Sequence, residues 1–252
     1  MTTRFAAGWA AVGTALLAAS TLGVRADQLI MKNSGQVIEA KSIRYKASTD
    51  EYIVLGMNDA TIPVPARNVE RAVVPRPAGL DAAITALNAG RHDAAIDTLE
   101  KLVSEYQGFE WAFVARDALG QAYMGKKDFR RAVSAYKAIL DGLPAAQVGL
   151  ATRRRYWEAL EGSEQFSLLK ADLERLIAEG TREAAALAQL KRGDMYLAQG
   201  QKNEALLDYL RTVVLYEQVK EVQPEALFNA ARLLEERSEE HTSELQSRYV
   251  IS

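Results

Sequence analysis

The chain contains no cysteine. Disulfides, thiolate metal sites and a cysteine nucleophile are therefore excluded. Histidine is nearly absent, at two in 252 residues. His92 alone cannot build a histidine triad or a zinc cluster. It opens an expected helix, in a slot where a repeat would place a packing aromatic. Charge of one sign is not in excess, since 31 basic and 33 acidic residues leave a net −2. A nucleic-acid surface wants a basic face, so no nucleic-acid partner is expected. No glycine-rich phosphate loop is present, and the acidic residues show no paired spacing. The chain reads as a non-enzyme, with no catalytic residue, metal or cofactor. Past residue 22 no apolar run is long enough to span a membrane. What remains, 48% apolar and 25% charged residues, suits a folded soluble protein.

The two ends read as separate from the fold. Met1 to Arg4 is a positive start, Phe5 to Leu22 is apolar, and Val24-Arg25-Ala26 places small residues at −3 and −1. That is the layout of a secretory signal peptide. The reading expects cleavage after Ala26, a periplasmic location, and no stable membrane insertion afterwards. At the other end Arg237 to Ser247 read RSEEHTSELQS. This run, continued to Ser252, resembles a translated sequencing adapter. The resemblance implies a disordered, adapter-derived tail over 237–252 and carries no function for His241.

Residues 27–74 alternate with period two. Four or five short strands are expected, in the runs Gln28–Lys32, Val37–Ala40 leading to Ser42–Lys46, Glu51–Leu55, Ala60–Pro65 and Val69–Val74. Asn33-Ser34-Gly35 and Gly56 to Asp59 supply turn chemistry. Pro63 and Pro65 cannot donate to a ladder, so their strand belongs at an edge. The pattern resembles a small Sm-like or Src-homology-type barrel, which is all β. A module this small needs support from the helices that follow. Residues 75–78 are a linker.

From residue 79 the period changes to about 37 residues, the mark of stacked helix pairs. Small residues recur on the first helices at Ala83, Gly120, Gly193 and Ala231, with Trp157 in the third place. On the second helices Ala95, Ala132, Leu169 and Ala205 are followed one turn later by Leu99, Tyr136, Leu173 and Tyr209. Gly90 and Gly200 mark turns. The expected units are 79–108, 109–145, 146–180, 181–220 and a half unit at 224–236. The third departs most, since Trp157 and Leu169 replace small residues. This pattern resembles the tetratricopeptide repeat of bacterial envelope proteins. The resemblance implies a mainly α, right-handed solenoid behind the β module.

It also implies a scaffold that binds protein or peptide segments in the groove lined by the first helices. Carried over residue by residue, that groove holds Asp117, Gln121, Arg154, Glu158, Asp194 and Arg232, with Leu187, Leu190 and Leu197 beside them. Arg153, Arg154 and Arg155 are consecutive on a helix, point three ways, and form no single patch. The alternative is an accessory or targeting module of an envelope enzyme or cell-wall-binding protein.

Overall fold

The structure, a computed structural model, describes residues 26–250. The expected leader, residues 1–26, lies outside the described residues apart from Ala26. Five strands come first: β1 (Asp27–Met31), β2 (Val37–Lys46), β3 (Glu51–Gly56), β4 (Thr61–Pro65) and β5 (Val69–Val73). All pairings are antiparallel, in the order β4-β3-β2-β1-β5. The two runs expected before and after Lys41 form one strand, with a bulge between Ala40 and Ser42. The proline strand β4 is an edge, as its missing donors require.

The sheet has to curl. Its edge strands are joined only by the 3₁₀ turn Ala66–Asn68. Four flat spacings of about 4.8 Å would part them by about 19 Å, whereas the link from Pro65 to Val69 reaches about 14 Å. Backbone bonds seal the corner: Lys32 N–H donates to Asn68 C=O at 2.8 Å, and Ala66 N–H to Asp50 C=O at 2.9 Å.

Nine helices follow among the described residues: α1 (Ala78–Asn88), α2 (His92–Glu105), α3 (Glu110–Gly125), α4 (Phe129–Gly142), α5 (Leu150–Gly162), α6 (Phe166–Glu179), α7 (Arg182–Ala198), α8 (Lys202–Leu215) and α9 (Gln223–Val250). The turns between paired helices share one device. Gly90, Lys127, Glu164 and Gly200 all take positive φ, from 60° to 73°, at the repeat spacing. The sequence announces only the two glycines. Helix α9 makes no such turn. A disordered tail was expected from 237, yet α9 continues to Val250. The stretch holds no Gly or Pro, and Glu, Arg, Leu and Gln favour helix. Leu227, Phe228, Ala231 and Leu234 of α9 are exposed.

The chain divides into two compact units at Ser163/Glu164. The β module is not a unit of its own. Its core of Leu29, Ala40, Ile43, Tyr52, Val54, Val64, Ala72 and Val74 also takes in Phe109, with Tyr106 and Trp111 against it. Tyr106 and Phe109 come from the α2–α3 connection and Trp111 from the first turn of α3. Tyr52 donates its hydroxyl to Gly108 C=O at 2.6 Å, and Trp111 Nε1 donates to Val74 C=O at 3.0 Å. The Tyr52 and Phe109 rings meet edge to face at 5.8 Å. Burial, with the charge of Asp50 nearby, pushes the Tyr52 phenol up to about 12. A raised phenol favours the neutral donor in the fold. That stabilisation is present below about pH 10, the unfolded value, and is lost as pH rises through about 12.

Gly108 is the tight point of this junction. It has φ +84°, and a Cβ there would lie 2.5 Å from Tyr45 Cγ. Gly108→Ala is expected to cost about 2 kcal/mol or more, adding a left-handed penalty to a ring clash. Urea unfolding measures it; a loss under about 0.5 kcal/mol would show that the junction bears little on stability.

Candidate functional site

The first helices carry the polar clusters, and each compact unit has its own. In the first unit, Asp117 on α3 is the hub. Its carboxylate accepts from Gln121 Nε2 one turn on at 2.8 Å, from Thr152 Oγ1 on α5 at 3.1 Å, and from Arg155 Nη1 at 2.9 and 3.1 Å. Asp117, Gln121, Thr152 and Arg155 are all half-buried. Arg154 and Glu158 stand exposed on α5.

The three consecutive arginines do point three ways. Arg153 is buried and donates to Ala145 C=O at 3.0 Å. Arg154 faces solvent, and Arg155 holds Asp117. The arginine integrated with the predicted residues is thus Arg155, one position beyond the one singled out. Nothing in the sequence marked Thr152 or Arg155 apart from the repeat-length separation from Asp117.

In the second unit the prediction needs correcting. Leu187 and Leu190 were placed on a groove surface, but both are core residues of α7. This helix packs against both α6 and α8, so its apolar positions are covered from two sides. Leu197 is half-buried and Arg232 is exposed on α9. Asp194 accepts from Tyr209 at 2.8 Å. Burial, followed by the charge of Asp194, raises the Tyr209 phenol.

Deeper in this unit lies a cluster the sequence did not show. Asp208 on α8 is 1% exposed. It accepts from Gln189 Nε2 at 2.5 Å, from Arg192 at 2.7 and 3.0 Å, and from Arg211 at 3.0 Å. The bond to Asp208 raises the Arg192 guanidinium against the opposing effect of burial. This is an ion pair locking α7 to α8, with both carboxylate oxygens accepting from donors inside the protein.

His92 sits in a packing slot, as its position implied. A Cβ on Gly125 would fall 2.3 Å from His92 Cε1, and a Cβ on Gly162 would fall 2.5 Å from Phe129 Cδ1. One repeat apart, the same place takes an imidazole and then a phenyl. The imidazole leaves a buried Nδ1 with no partner, which costs stability. His92→Phe is expected to stabilise by about 1 kcal/mol. A thermal melt reads this, and an unchanged or lower Tm would refute the shared-slot reading.

No helix among the described residues is long and apolar enough to cross a membrane. Nor do three His, Asp or Glu side chains gather there as metal ligands. No curated protein matches the chain. A sequence model of the tetratricopeptide repeat matches residues 78–108, the α1–α2 pair and the connection after it, and it is to this repeat that the helical part of the chain is similar.

Proposed function

We propose that the chain is a non-enzymatic scaffold that binds extended polypeptide segments on the inner faces of its first helices. The repeat similarity supports a protein-interaction module in general terms. The observation that carries the finer reading is the Asp117 cluster. It is a half-buried polar surface on α3 and α5, flanked by the exposed pair Arg154 and Glu158. Mixed charge of this kind orients a polypeptide and sets its on-rate more than its affinity. Asp194, Leu197 and Arg232 are the corresponding candidates of the second unit.

The test is selection of a random dodecamer peptide library on the purified protein, followed by binding kinetics. Arg154→Glu with Glu158→Lys should slow association several-fold with an unchanged melt. The reversal Lys101→Glu on α2 should leave binding alone. Failure to select any peptide, or equal kinetics for the double variant, refutes the reading.

The scaffold is further proposed to work in the bacterial envelope, outside the inner membrane. Support comes from the positive start, apolar run and Val-x-Ala order of residues 1–26. Mass spectrometry of protein expressed in bacteria should find Asp27 at the mature N-terminus. A product still carrying Phe5 to Leu22 would contradict the export.

A further inference from the structure

Tyr136 and Tyr209 hold equivalent places on α4 and α8. Each ring lies over the glycine of the helix before it. A Cβ on Gly120 would fall 2.5 Å from Tyr136 Cζ, and one on Gly193 would fall 2.7 Å from Tyr209 Cε1. Their hydroxyls fare differently. Tyr209 donates to Asp194, the residue directly after the glycine. The residue directly after Gly120 is Gln121, and it turns its amide to Asp117 instead. Tyr136 is fully buried, and its hydroxyl has no partner.

A buried, unpaired hydroxyl is costly, so each one needs a reason. Burial raises this phenol, and the charges of Asp117, Arg155 and Glu158 act on it more weakly. The Tyr136 ring lies against Gly120, the residue directly before Gln121 on α3, so the orphaned group lies beneath the surface at which the chain is proposed to bind polypeptide.

We propose that Asp117 and Gln121 together bind the backbone N–H and C=O of one residue of an extended polypeptide, Gln121 turning its Oε1 onto the Tyr136 hydroxyl as they do so. The inference rests on the polypeptide-binding reading above. The hydrogen-bond balance favours it. The ligand N–H takes the place of Gln121 Nε2 on Asp117. The freed Nε2 donates to the ligand C=O. Tyr136 donates to Gln121 Oε1, as Tyr209 already does to Asp194. One bond is given up and three are made, one of them satisfying a group that the free protein leaves unpaired. Thr152 and Arg155 keep their hold on Asp117 throughout. Because Arg155 already neutralises that carboxylate, the site suits a neutral amide donor better than an ammonium group. The N–H and C=O of one residue are read without reference to its side chain, so the contact fixes the ligand's path and register, and not its sequence.

The probe is a dodecamer selected on the wild-type protein, labelled for fluorescence anisotropy. Tyr136→Phe removes only the hydroxyl. It should weaken binding about five- to tenfold, with a melting temperature equal to wild type or higher. Gln121→Leu should weaken binding at least as much. Adding Tyr136→Phe to it should cost nothing further, because the hydroxyl acts through the amide. Wild-type affinity in Tyr136→Phe overturns the inference and leaves peptide binding standing. A lowered melting temperature in Tyr136→Phe also overturns it, since the hydroxyl would then have a partner within the fold. Failure to select any peptide overturns the functional reading itself.

Discussion

Trp157→Ala should lower the free energy of unfolding by about 3–5 kcal/mol, among the largest losses a single truncation gives. Trp157 stands where the other complete units carry Ala83, Gly120 or Gly193. A tryptophan in a small-residue slot has two physical outcomes. Either the ring is extruded, or neighbouring volume is removed to admit it. The structure rules out the first. Trp157 is fully buried, among the largest side chains so enclosed. Sixteen residues on, where two other units carry Tyr136 and Tyr209, the chain has Leu173. Truncation would leave a cavity of ring size that close-packed neighbours fill only in part. Circular dichroism during urea unfolding gives the value without relying on the lost fluorophore. A loss under 1 kcal/mol would mean that the ring is solvated.

The sequence made the fold class legible because two different periods meet near residue 78. Alternation over 27–74 can satisfy only a half-buried sheet, and the recurrence near 37 can satisfy only stacked helix pairs. Gly90 and Gly200 were legible as turns, and both take positive φ. Lys127 and Glu164 were not, because ordinary side chains take the left-handed conformation there and leave no mark in the sequence. The joining of the β module to the helices was expected on grounds of size alone. Which residues do it was not legible, since Phe109 and Trp111 read equally well as part of a repeat. The candidate site was legible by helix but not by side chain. Asp117 and Gln121 do lie together, yet their arginine is Arg155, because a rotation of about 100° separates neighbours on a helix. Leu187 and Leu190 failed for a related reason. Periodicity marks an apolar stripe but does not say how many neighbours cover it, and α7 has one on each side.

Asp208→Ala should cost about 3–5 kcal/mol, the loss typical of breaking a buried ion pair from one side. The carboxylate is almost wholly enclosed, and Arg192 beside it has only 15% of its side chain exposed. Removing the acid leaves that guanidinium and the Gln189 amide without their acceptor, in a place water barely reaches. Most of the loss is the desolvation penalty of these stranded donors and not the worth of the pair. That distinction can be measured. Replacing the three groups together, as Gln189→Leu, Arg192→Met and Asp208→Leu, removes the donors along with the acceptor and keeps the volume. The triple variant should recover most of the stability that Asp208→Ala loses, and should fall below wild type by no more than about 1 kcal/mol. Arg211 remains, but half of its side chain is in solvent, so it does not depend on Asp208 for hydration. Urea unfolding of the single and triple variants decides the point. If the triple variant is as unstable as the single one, the network supplies attraction that packing cannot replace, and α7 and α8 are held together by charge.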